Sequence, residues 1–477
     1  MSSLSPTHHT KSSQPSDLPP GYSIGDAELL FCRLASRTHN FKNSHIMKVV
    51  LILALLLPGF AIAKKPNLIY ILTDDLGYGD LGCYGQKVVR TPRIDEMAKK
   101  GLRFTDHYAG HTVCRPSRLS LLKGQHTGHT AIAGNNKHVL PPDSVTINSL
   151  LQDAGYRTAS VGKWALGREG ETGHPNKQGV DFFYGWIDQS EAHDYYPEYL
   201  WRNEEKERLP GNDNSGKKNV SSKKTTYAHT RVTEEALAFI ERNKDAPFYL
   251  NLNWTIPHTN NEAGHVEKNG QEVPDWGIYK DKDWPEPEKG FAAMVTLMDS
   301  DTGRILDLLA KLGIAENTLV IFTSDNGPHQ EGGHKVNFFD SNGPLKGHKR
   351  SLHDGGIRVP MIAYWPGTVK PGTSDHVSAF WDWMPTACEL AGIESWEKTD
   401  GLSFAALLLG KEQKKCDYLF WRWSRFRAIR IDHWKGVATD RKLALYDLRN
   451  DLGEENDLAA QHPKIATKMK KIISELE

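Results

Sequence analysis

Two apolar segments, each followed by a pair of polar residues, place the tightest constraint on the fold of this chain. Residues 67–72 and 319–323 are continuous apolar runs, and such runs predict strands that are buried on both faces of a sheet. Residues 248–252 and 361–365 have a similar composition. The pattern therefore predicts a sheet whose two faces are both covered.

Helical stretches separate these strands along the chain. Residues 94–100, 144–154, 234–242 and 292–312 have the composition of helices. Alternating strands and helices predict an α/β fold, with a large, mostly parallel sheet flanked by helices. Residues 204–224 are polar and rich in Lys, Asn and Ser, and we expect an exposed loop there.

The sequence changes in texture after about residue 370. Short antiparallel strands and a terminal helix are predicted there, at residues 418–421, 427–431, 443–448 and 463–476. We therefore expect a larger domain over residues 64–370 and a smaller α+β subdomain, an antiparallel sheet plus the terminal helix, over residues 371–477.

Residues 47–63 depart from the globular pattern. A Met-Lys start, a short apolar run and small residues at the end predict a secretory signal peptide, and the run is too short to span a bilayer. The other explanation is an apolar strand of the fold. We expect residues 1–46 to be a non-native N-terminal extension. The mature protein would begin at Lys64, be secreted or periplasmic, and have no membrane attachment after cleavage.

The charge balance and cysteine content exclude several classes of protein. The 477 residues contain 59 basic and 59 acidic side chains, so the broad attraction that a nucleic-acid binder needs is absent. Five cysteines are too few for a disulfide scaffold. An export compartment permits a bond between Cys388 and Cys416 without requiring it.

Polar side chains follow both of the apolar runs. Asp74 and Asp75 follow the first run, and Asp325 and Asn326 follow the second. Ligands of parallel sheets bind beyond the carboxyl ends of the strands. We therefore expect the functional site where these two pairs lie, although residues of this type also form turns.

A cysteine lies just before a predicted helix. Pro116 suits the first turn of a helix and Gly124 can end it. The dipole at that N-terminus favours an anion, and Arg118 adds a cation one turn further on. Cys114 is then either an activated thiol with a depressed pKa or a buried, inert cysteine beside a surface arginine.

The segment from Cys114 to Gly124 resembles the signature C-x-P-S-R-x-x-x-L-T-G of the type I, formylglycine-dependent sulfatases, with Lys123 where threonine is usual. Further blocks resemble the same family in order and spacing. They are Asp74-Asp75-Leu76-Gly77-Tyr78-Gly79-Asp80, Thr91-Pro92-Arg93-Ile94-Asp95, Gly162-Lys163-Trp164, Ser324-Asp325-Asn326-Gly327-Pro328, Gly355-Gly356-Ile357-Arg358-Val359-Pro360 and Leu445-Tyr446-Asp447-Leu448. The resemblance covers nearly all of the mature chain. It implies an alkaline-phosphatase-like fold and hydrolysis of sulfate esters, as in secreted bacterial polysaccharide and aryl sulfatases.

Carried onto this chain, the resemblance implies a calcium site. Its ligands would be Asp74, Asp75, Asp325, Asn326 and residue Cys114 after oxidation to formylglycine. Carboxylate and amide oxygens are the donors that a hard divalent cation prefers.

The resemblance also implies roles in catalysis. Lys163, Lys349 and Arg118 would surround the sulfate group with positive charge, with Lys346 as the alternative to Lys349. His258 would face the leaving oxygen as a general acid. In the implied mechanism, one hydroxyl of a formylglycine gem-diol attacks sulfur and the second later expels sulfate.

One block departs from the family. Ala165 stands where the pattern G-K-W-H-L-G has histidine, and alanine cannot carry a proton. Our hypothesis is that His193, in a polar and aromatic loop, takes over this role. The alternative is a surface histidine. His329 and His334 follow Asp325 and Asn326 along the chain. They either reach the substrate or are solvated.

The substrate and partners are predicted less directly. Aromatic residues near the strand ends, Trp201, Trp276 and Trp284, favour a sulfated carbohydrate, although packing also explains such residues. The resemblance narrows the sugar to galactose- or N-acetylgalactosamine-4-sulfate. It implies a formylglycine-generating or anaerobic sulfatase-maturing enzyme as a partner, and no nucleic acid. A phosphoester hydrolase of the same superfamily and a non-catalytic sulfated-glycan-binding protein are the alternatives.

Overall fold

The computed structural model describes residues 65–130, 134–135, 139–394, 396, 399–439 and 442–476. The predicted extension over residues 1–46 and the predicted signal peptide over residues 47–63 lie outside these ranges. The division into domains at about residue 370 stays a prediction.

The strands form one large sheet and three smaller ones. They are β1 Asn67–Asp74, β2 Leu102–Phe104, β3 His107–Tyr108, β4 Arg157–Lys163, β5 Phe182–Trp186, β6 Tyr199–Arg202, β7 Glu205–Arg208, β8 Asp213–Lys217, β9 Val220–Lys223, β10 Phe248–Pro257, β11 Thr318–Ser324, β12 Met361–Tyr364, β13 Gly372–Ser374, β14 Ser378–Ala379, β15 Leu419–Trp423, β16 Phe426–Ile431, β17 Trp434–Ala438 and β18 Leu443–Asp447. The large sheet has the order β13-β2-β12-β11-β1-β10-β4-β5-β6-β7.

Helices pack on the large and small sheets. They are α1 Pro92–Lys100, α2 Cys114–Lys123, α3 Ile147–Asp153, α4 Ala228–Asn243, α5 Asn261–Glu267, α6 Glu286–Lys311, α7 Val336–Phe339, α8 Asp354–Ile357, α9 Trp383–Leu390, α10 Ala405–Leu408 and α11 Pro463–Glu475. Among the described residues, no helix is both long enough and apolar enough to cross a membrane.

The buried central strand explains why both faces need covering. In β1, Ile69 and Ile71 belong to one apolar core, whereas Leu68, Tyr70 and Leu72 belong to another. Side chains of a strand alternate between the two faces, so each face of the sheet packs on its own core. The predicted α/β fold with a large, mostly parallel sheet is therefore confirmed.

The smaller sheet also agrees with the prediction, although one of its strands was missed. Strands β15 to β18 form an antiparallel sheet of four, and α11 packs against β16 and β18. Strand β17 was not predicted. Residues 204–224 are largely exposed, as expected, but the prediction of a loop was wrong. This segment forms β7 at the edge of the large sheet and the hairpin of β8 and β9.

Parallel register brings the candidate residues to one edge. Thr73 pairs with Ser324 across β1 and β11, and Asp74 pairs with Pro257 across β1 and β10. The residues that follow these three strands therefore emerge side by side. This edge carries the candidate site.

Candidate active site

The sequence predicted a helix that begins just after Cys114; the helix begins one residue earlier, with Cys114 as the first residue of α2, and the side chain of Cys114 is fully buried. The helix ends at Gly124, which adopts a left-handed conformation with φ of 61°. The thiol donates a hydrogen bond to Oδ1 of Asp74 over 3.2 Å. Burial raises the pKa of this thiol well above its usual range, and Asp74 raises it further. Of the two alternatives for Cys114, the structure favours the buried thiol over the activated one, because desolvation disfavours the thiolate, although Arg118 beside it is buried and not at the surface.

Two buried cations lie beside the cysteine. Arg118 donates from Nε to Asp325 over 3.0 Å, and Lys163 donates from Nζ to Asp74 over 2.6 Å. Arg118 also donates to the side-chain oxygen of Asn253 over 3.2 Å, a contact that the sequence did not reveal. Each of these cations therefore neutralises one of the clustered carboxylates.

Lys349 occupies the third such position. Its Nζ lies 2.7 Å from Oδ2 of Asp75 and 3.1 Å from Nε2 of His258. Lys346, the alternative, instead donates to the backbone oxygen of Glu454 over 2.8 Å. The geometry favours Lys349 as the lysine of the site.

His258 is buried. Burial and Lys349 hold its pKa well below the usual range. Its Nδ1 lies 2.6 Å from the backbone oxygen of Thr259, so Nδ1 carries the proton and Nε2 is the acceptor that faces Lys349. The hydroxyl of Tyr195 donates to the backbone oxygen of His258 and fixes this segment.

The residues at this edge fit a divalent cation. Single ligand atoms of Asp74, Asp75, Cys114 and His258 all lie within 4.8 Å of one another. His258 was not among the expected ligands. Burial raises the pKa of Asp75 to about 7, and the neighbouring carboxylates add to the effect.

The other two expected ligands adjoin this cluster. Oδ1 of Asp325 accepts from the backbone N–H of Asp75 over 3.2 Å, and Nδ2 of Asn326 donates to Oδ1 of Asp75 over 2.6 Å. Oδ1 of Asn326 is buried and has no hydrogen-bond partner among the residues described. Burial raises the pKa of Asp325 to about 6, and Asp74 adds to the rise. An unpaired buried oxygen beside crowded carboxylates is what a cation would satisfy.

His193 reaches the site through His258. The two imidazole rings stack with centroids 5.0 Å apart and planes at 20°. Nδ1 of His193 lies 3.1 Å from Oε2 of Glu262. Ala165 is buried and has φ of 70°. The structure therefore brings His193 beside the candidate acid, and its catalytic role stays a hypothesis.

His329 and His334, the two histidines that follow Asp325 and Asn326, are not solvated. Nε2 of His329 lies 3.1 Å from the backbone oxygen of Pro257. Nδ1 of His334 lies 2.6 Å from Glu288, and its ring stacks on Phe291 at 3.8 Å. Both imidazoles are buried, and the ring of His329 lies beside that of His258 with centroids 6.0 Å apart.

The aromatic residues singled out in the sequence mostly pack. Trp201 is buried in the core, and Trp284 stacks on Tyr279 with ring centroids 5.6 Å apart. Trp276 is half-buried.

Glu331 is a site residue that the sequence did not reveal. Its Oε2 lies 3.5 Å from Nζ of Lys349 and accepts from Asn261 over 2.9 Å. Its other oxygen pairs with Arg350, a half-exposed cation at the mouth of the site. Only the folded loop brings this acid to Lys349.

The fold and site define a hydrolase of the alkaline-phosphatase-like α/β class. A family model described as sulfatase matches residues 66–393, and one described as N-sulphoglucosamine sulphohydrolase, C-terminal, matches residues 347–477. The chain belongs to the sulfatase family and is a sulfuric ester hydrolase.

Similar proteins include two curated relatives and a solved structure. N-acetylgalactosamine-6-O-sulfatase of Bacteroides thetaiotaomicron is 28% identical, over 87% of this chain and 94% of its own. N-acetylgalactosamine-6-sulfatase of Canis lupus familiaris is 31% identical, over 78% of this chain and 71% of its own. The crystal structure of Ps i-CgsB in complex with k-i-k-neocarrahexaose is 28% identical with a TM-score of 0.74, over 86% of this chain and 92% of that chain.

Proposed function

We propose that this sulfatase hydrolyses sulfate esters of a carbohydrate, with Cys114 converted to formylglycine and Ca²⁺ held by Asp74, Asp75, Asp325 and Asn326. The observation that carries the proposal is the position of the Cys114 thiol, 3.2 Å from Asp74, at the start of a helix that also supplies Arg118. When present, the hydrated aldehyde supplies the attacking oxygen and Ca²⁺ polarises the S–O bonds.

The chain's own cations would orient the sulfate. Arg118, Lys163 and Lys349 are all nearly fully buried. At an effective dielectric constant of ~20, a cation ~4 Å from a unit negative charge contributes about 4 kcal/mol of attraction. Because the cations are held by carboxylates before substrate arrives, they need little reorganisation.

Lys349 and His258 would handle the proton of the leaving alcohol. The ammonium of Lys349 donates toward Nε2 of His258, so a proton held between them can pass to an oxygen at that position. In this proposal the pair protonates the leaving oxygen and so prevents an alkoxide from forming.

The carbohydrate class rests on similarity. Two relatives have N-acetylgalactosamine-6-sulfatase activity in their names, and the solved neighbour holds a neocarrahexaose. Galactose- or N-acetylgalactosamine-4-sulfate is the narrower proposal from the sequence. Assaying 4-sulfated and 6-sulfated forms of both sugars separates these positions.

The proposal includes export and maturation. A secreted or periplasmic protein would meet sulfated polysaccharides outside the cell. It would need a formylglycine-generating or anaerobic sulfatase-maturing enzyme to convert Cys114.

Two measurements test the proposal. One is mass spectrometry of the tryptic peptide that contains Cys114, and the other is a turnover assay with sulfate and phosphate esters. We expect the sulfur to be replaced by an aldehyde in active preparations, and turnover of an aryl sulfate well above that of an aryl phosphate. An active enzyme with an unmodified thiol throughout would contradict formylglycine chemistry. A converted residue without turnover of any sulfate ester would contradict the proposed hydrolysis.

Removal of the metal is expected to inactivate the enzyme reversibly. Dialysis against a chelator should lower kcat at least a hundred-fold, because three buried carboxylates would repel a sulfate. Ca²⁺ should restore turnover and raise Tm, because binding at a free concentration ~100 times Kd adds about 2.7 kcal/mol to the free energy of unfolding. Mg²⁺ should restore less, since it demands a tighter octahedral site. Full activity after exhaustive chelation would exclude a required metal.

His193→Ala is expected to lower kcat about a hundred-fold if His193 moves a proton, as general acid–base groups contribute about 10²–10⁴-fold. Glu262→Gln keeps the imidazole and should have a smaller effect. His265→Ala, an exposed histidine on the same helix as Glu262, is the control. Steady-state kinetics with an aryl sulfate check this, and near-wild-type turnover of His193→Ala removes His193 from the mechanism.

A further inference from the structure

A cleft lies between the segment of residues 350–353 and the small antiparallel sheet. It has no role in the site described above. Its volume is about 320 Å³, at the lower end of the range typical of ligand pockets, ~300–1,000 Å³. One wall is the segment that begins at Arg350. The other is the hairpin of β15 and β16 together with residues of β17 and β18. We call it the hairpin cleft and define it by Arg350, His353, Trp423, Phe426, Lys442 and Tyr446.

The hairpin cleft adjoins the reacting centre on both walls. Arg350 directly follows Lys349, and its backbone N–H donates to the oxygen of Thr112 over 3.1 Å. On the other wall, the backbone oxygen of Arg422 lies 3.1 Å from Nε2 of His111. Both contacts are made to the segment that leads into Cys114. The cleft therefore lies next to the segment that carries Cys114.

The lining suits a sugar that carries negative charge. Trp423 and Phe426 are opposite each other in the ladder, and their rings stack with centroids 6.2 Å apart and planes at 25°. Both rings are half-buried, so they present a fixed apolar surface with a polar rim. The side chains of Arg350 and Lys442 are 52% and 74% exposed and lie at the edge, where they pair with Glu331 and Asp457.

We propose that the hairpin cleft binds the saccharide next to the sulfated unit, so that the substrate is an anionic oligosaccharide or polymer rather than a monosaccharide sulfate. This rests on the proposed function, because it extends the same substrate. The aromatic pair would stack on a sugar ring, and Lys442 would attract an anionic group on that saccharide. The cationic contribution should weaken with salt, because Lys442 is exposed.

The test compares kcat/KM for two kinds of substrate. The small probe is 4-nitrophenyl sulfate, and the long probes are neocarrahexaose and a chondroitin sulfate hexasaccharide. The hexasaccharide compared is the one that the wild-type enzyme turns over. We expect Trp423→Ala to lower kcat/KM at least ten-fold more on this hexasaccharide than on 4-nitrophenyl sulfate. Lys442→Glu should act in the same direction, most strongly at low salt. Trp434→Ala is the matched control, since this half-buried tryptophan packs on His433 and His462 instead.

The outcomes separate the two proposals. Thermal unfolding identifies the variants that fold. If Trp423→Ala does not fold, Phe426→Ala provides a second aromatic variant. An unchanged ratio of the two kcat/KM values in the folded variants overturns the cleft as a saccharide site, and so does an equal change in Trp434→Ala. If the wild-type enzyme turns over no sulfate ester, short or long, the proposed function itself fails.

Discussion

Cys114→Ala is expected to lower kcat on an aryl sulfate by a factor of at least ~10⁴. Alanine cannot be converted to formylglycine and has no atom that can attack sulfur. Removing the nucleophile from a covalent mechanism typically costs 10⁴–10⁶-fold. The bound cations remain, so KM should change far less than kcat. Steady-state kinetics with metal-loaded protein measure both parameters.

A second cysteine provides the control for this prediction. Cys388 is fully buried on α9, away from the cluster of ligands, and is unpaired like the other cysteines that the structure describes. Cys388→Ala should keep kcat while losing some stability, because it leaves a small cavity. Residual turnover of Cys114→Ala above a hundredth of wild type would mean that another group attacks the ester.

The position of the site was predictable because it depends on register. Two apolar runs, one followed by Asp74 and Asp75 and the other by Asp325 and Asn326, predict two buried strands, and parallel strands end at the same edge of a sheet. The pairing of Thr73 with Ser324 then fixes the distance between the pairs. The helix at Cys114 was predictable for a local reason, because Pro116 suits a first helical turn and Gly124 can end a helix.

Contacts made by loops and by buried charges were not predictable. Glu331 meets Lys349 only through the fold of the intervening loop. The pKa of Cys114 depends on complete burial, which a helix N-terminus does not reveal. Strand β17 was missed because Lys435 lies within it, and a lysine in a short segment of mixed polarity predicts solvent exposure.

Lys435 is in fact fully buried within a network of charges that joins the small sheet to the segment around α8. Its Nζ lies 2.5 Å from Oδ1 of Asp354 and 3.7 Å from Glu454. Asp354 also accepts from the hydroxyl of Tyr108 over 2.7 Å and from Arg358 over 3.3 Å. Burial opposes ionisation of Asp354, but Lys435 and Arg358 outweigh it and hold its pKa below the usual range.

Lys435→Met is therefore expected to lower the free energy of unfolding by about 3–5 kcal/mol, the usual cost of breaking a buried ion pair. Methionine fills a similar volume but removes Lys435 from Asp354, which keeps Arg358, and from Glu454. Because the pKa of Asp354 is depressed, its stabilisation is present above the unfolded value, about 3.9, and is lost as pH falls toward the folded value. The difference between variant and wild type should therefore narrow below about pH 4.

Urea denaturation at pH 7 and at lower pH measures this difference. Lys471→Met is the matched control, because its Nζ pairs with Glu475 at the surface, 3.7 Å away, with 76% of the lysine side chain exposed. Exposed pairs of this kind contribute about 0.3–0.5 kcal/mol. A loss below about 1 kcal/mol for Lys435→Met would show that Arg358 and Tyr108 alone compensate Asp354. A loss near the expected value would mean that the buried charge of Lys435 holds the small sheet to α8, and so to the segment that carries Lys349. The sequence alone would place this lysine in solvent.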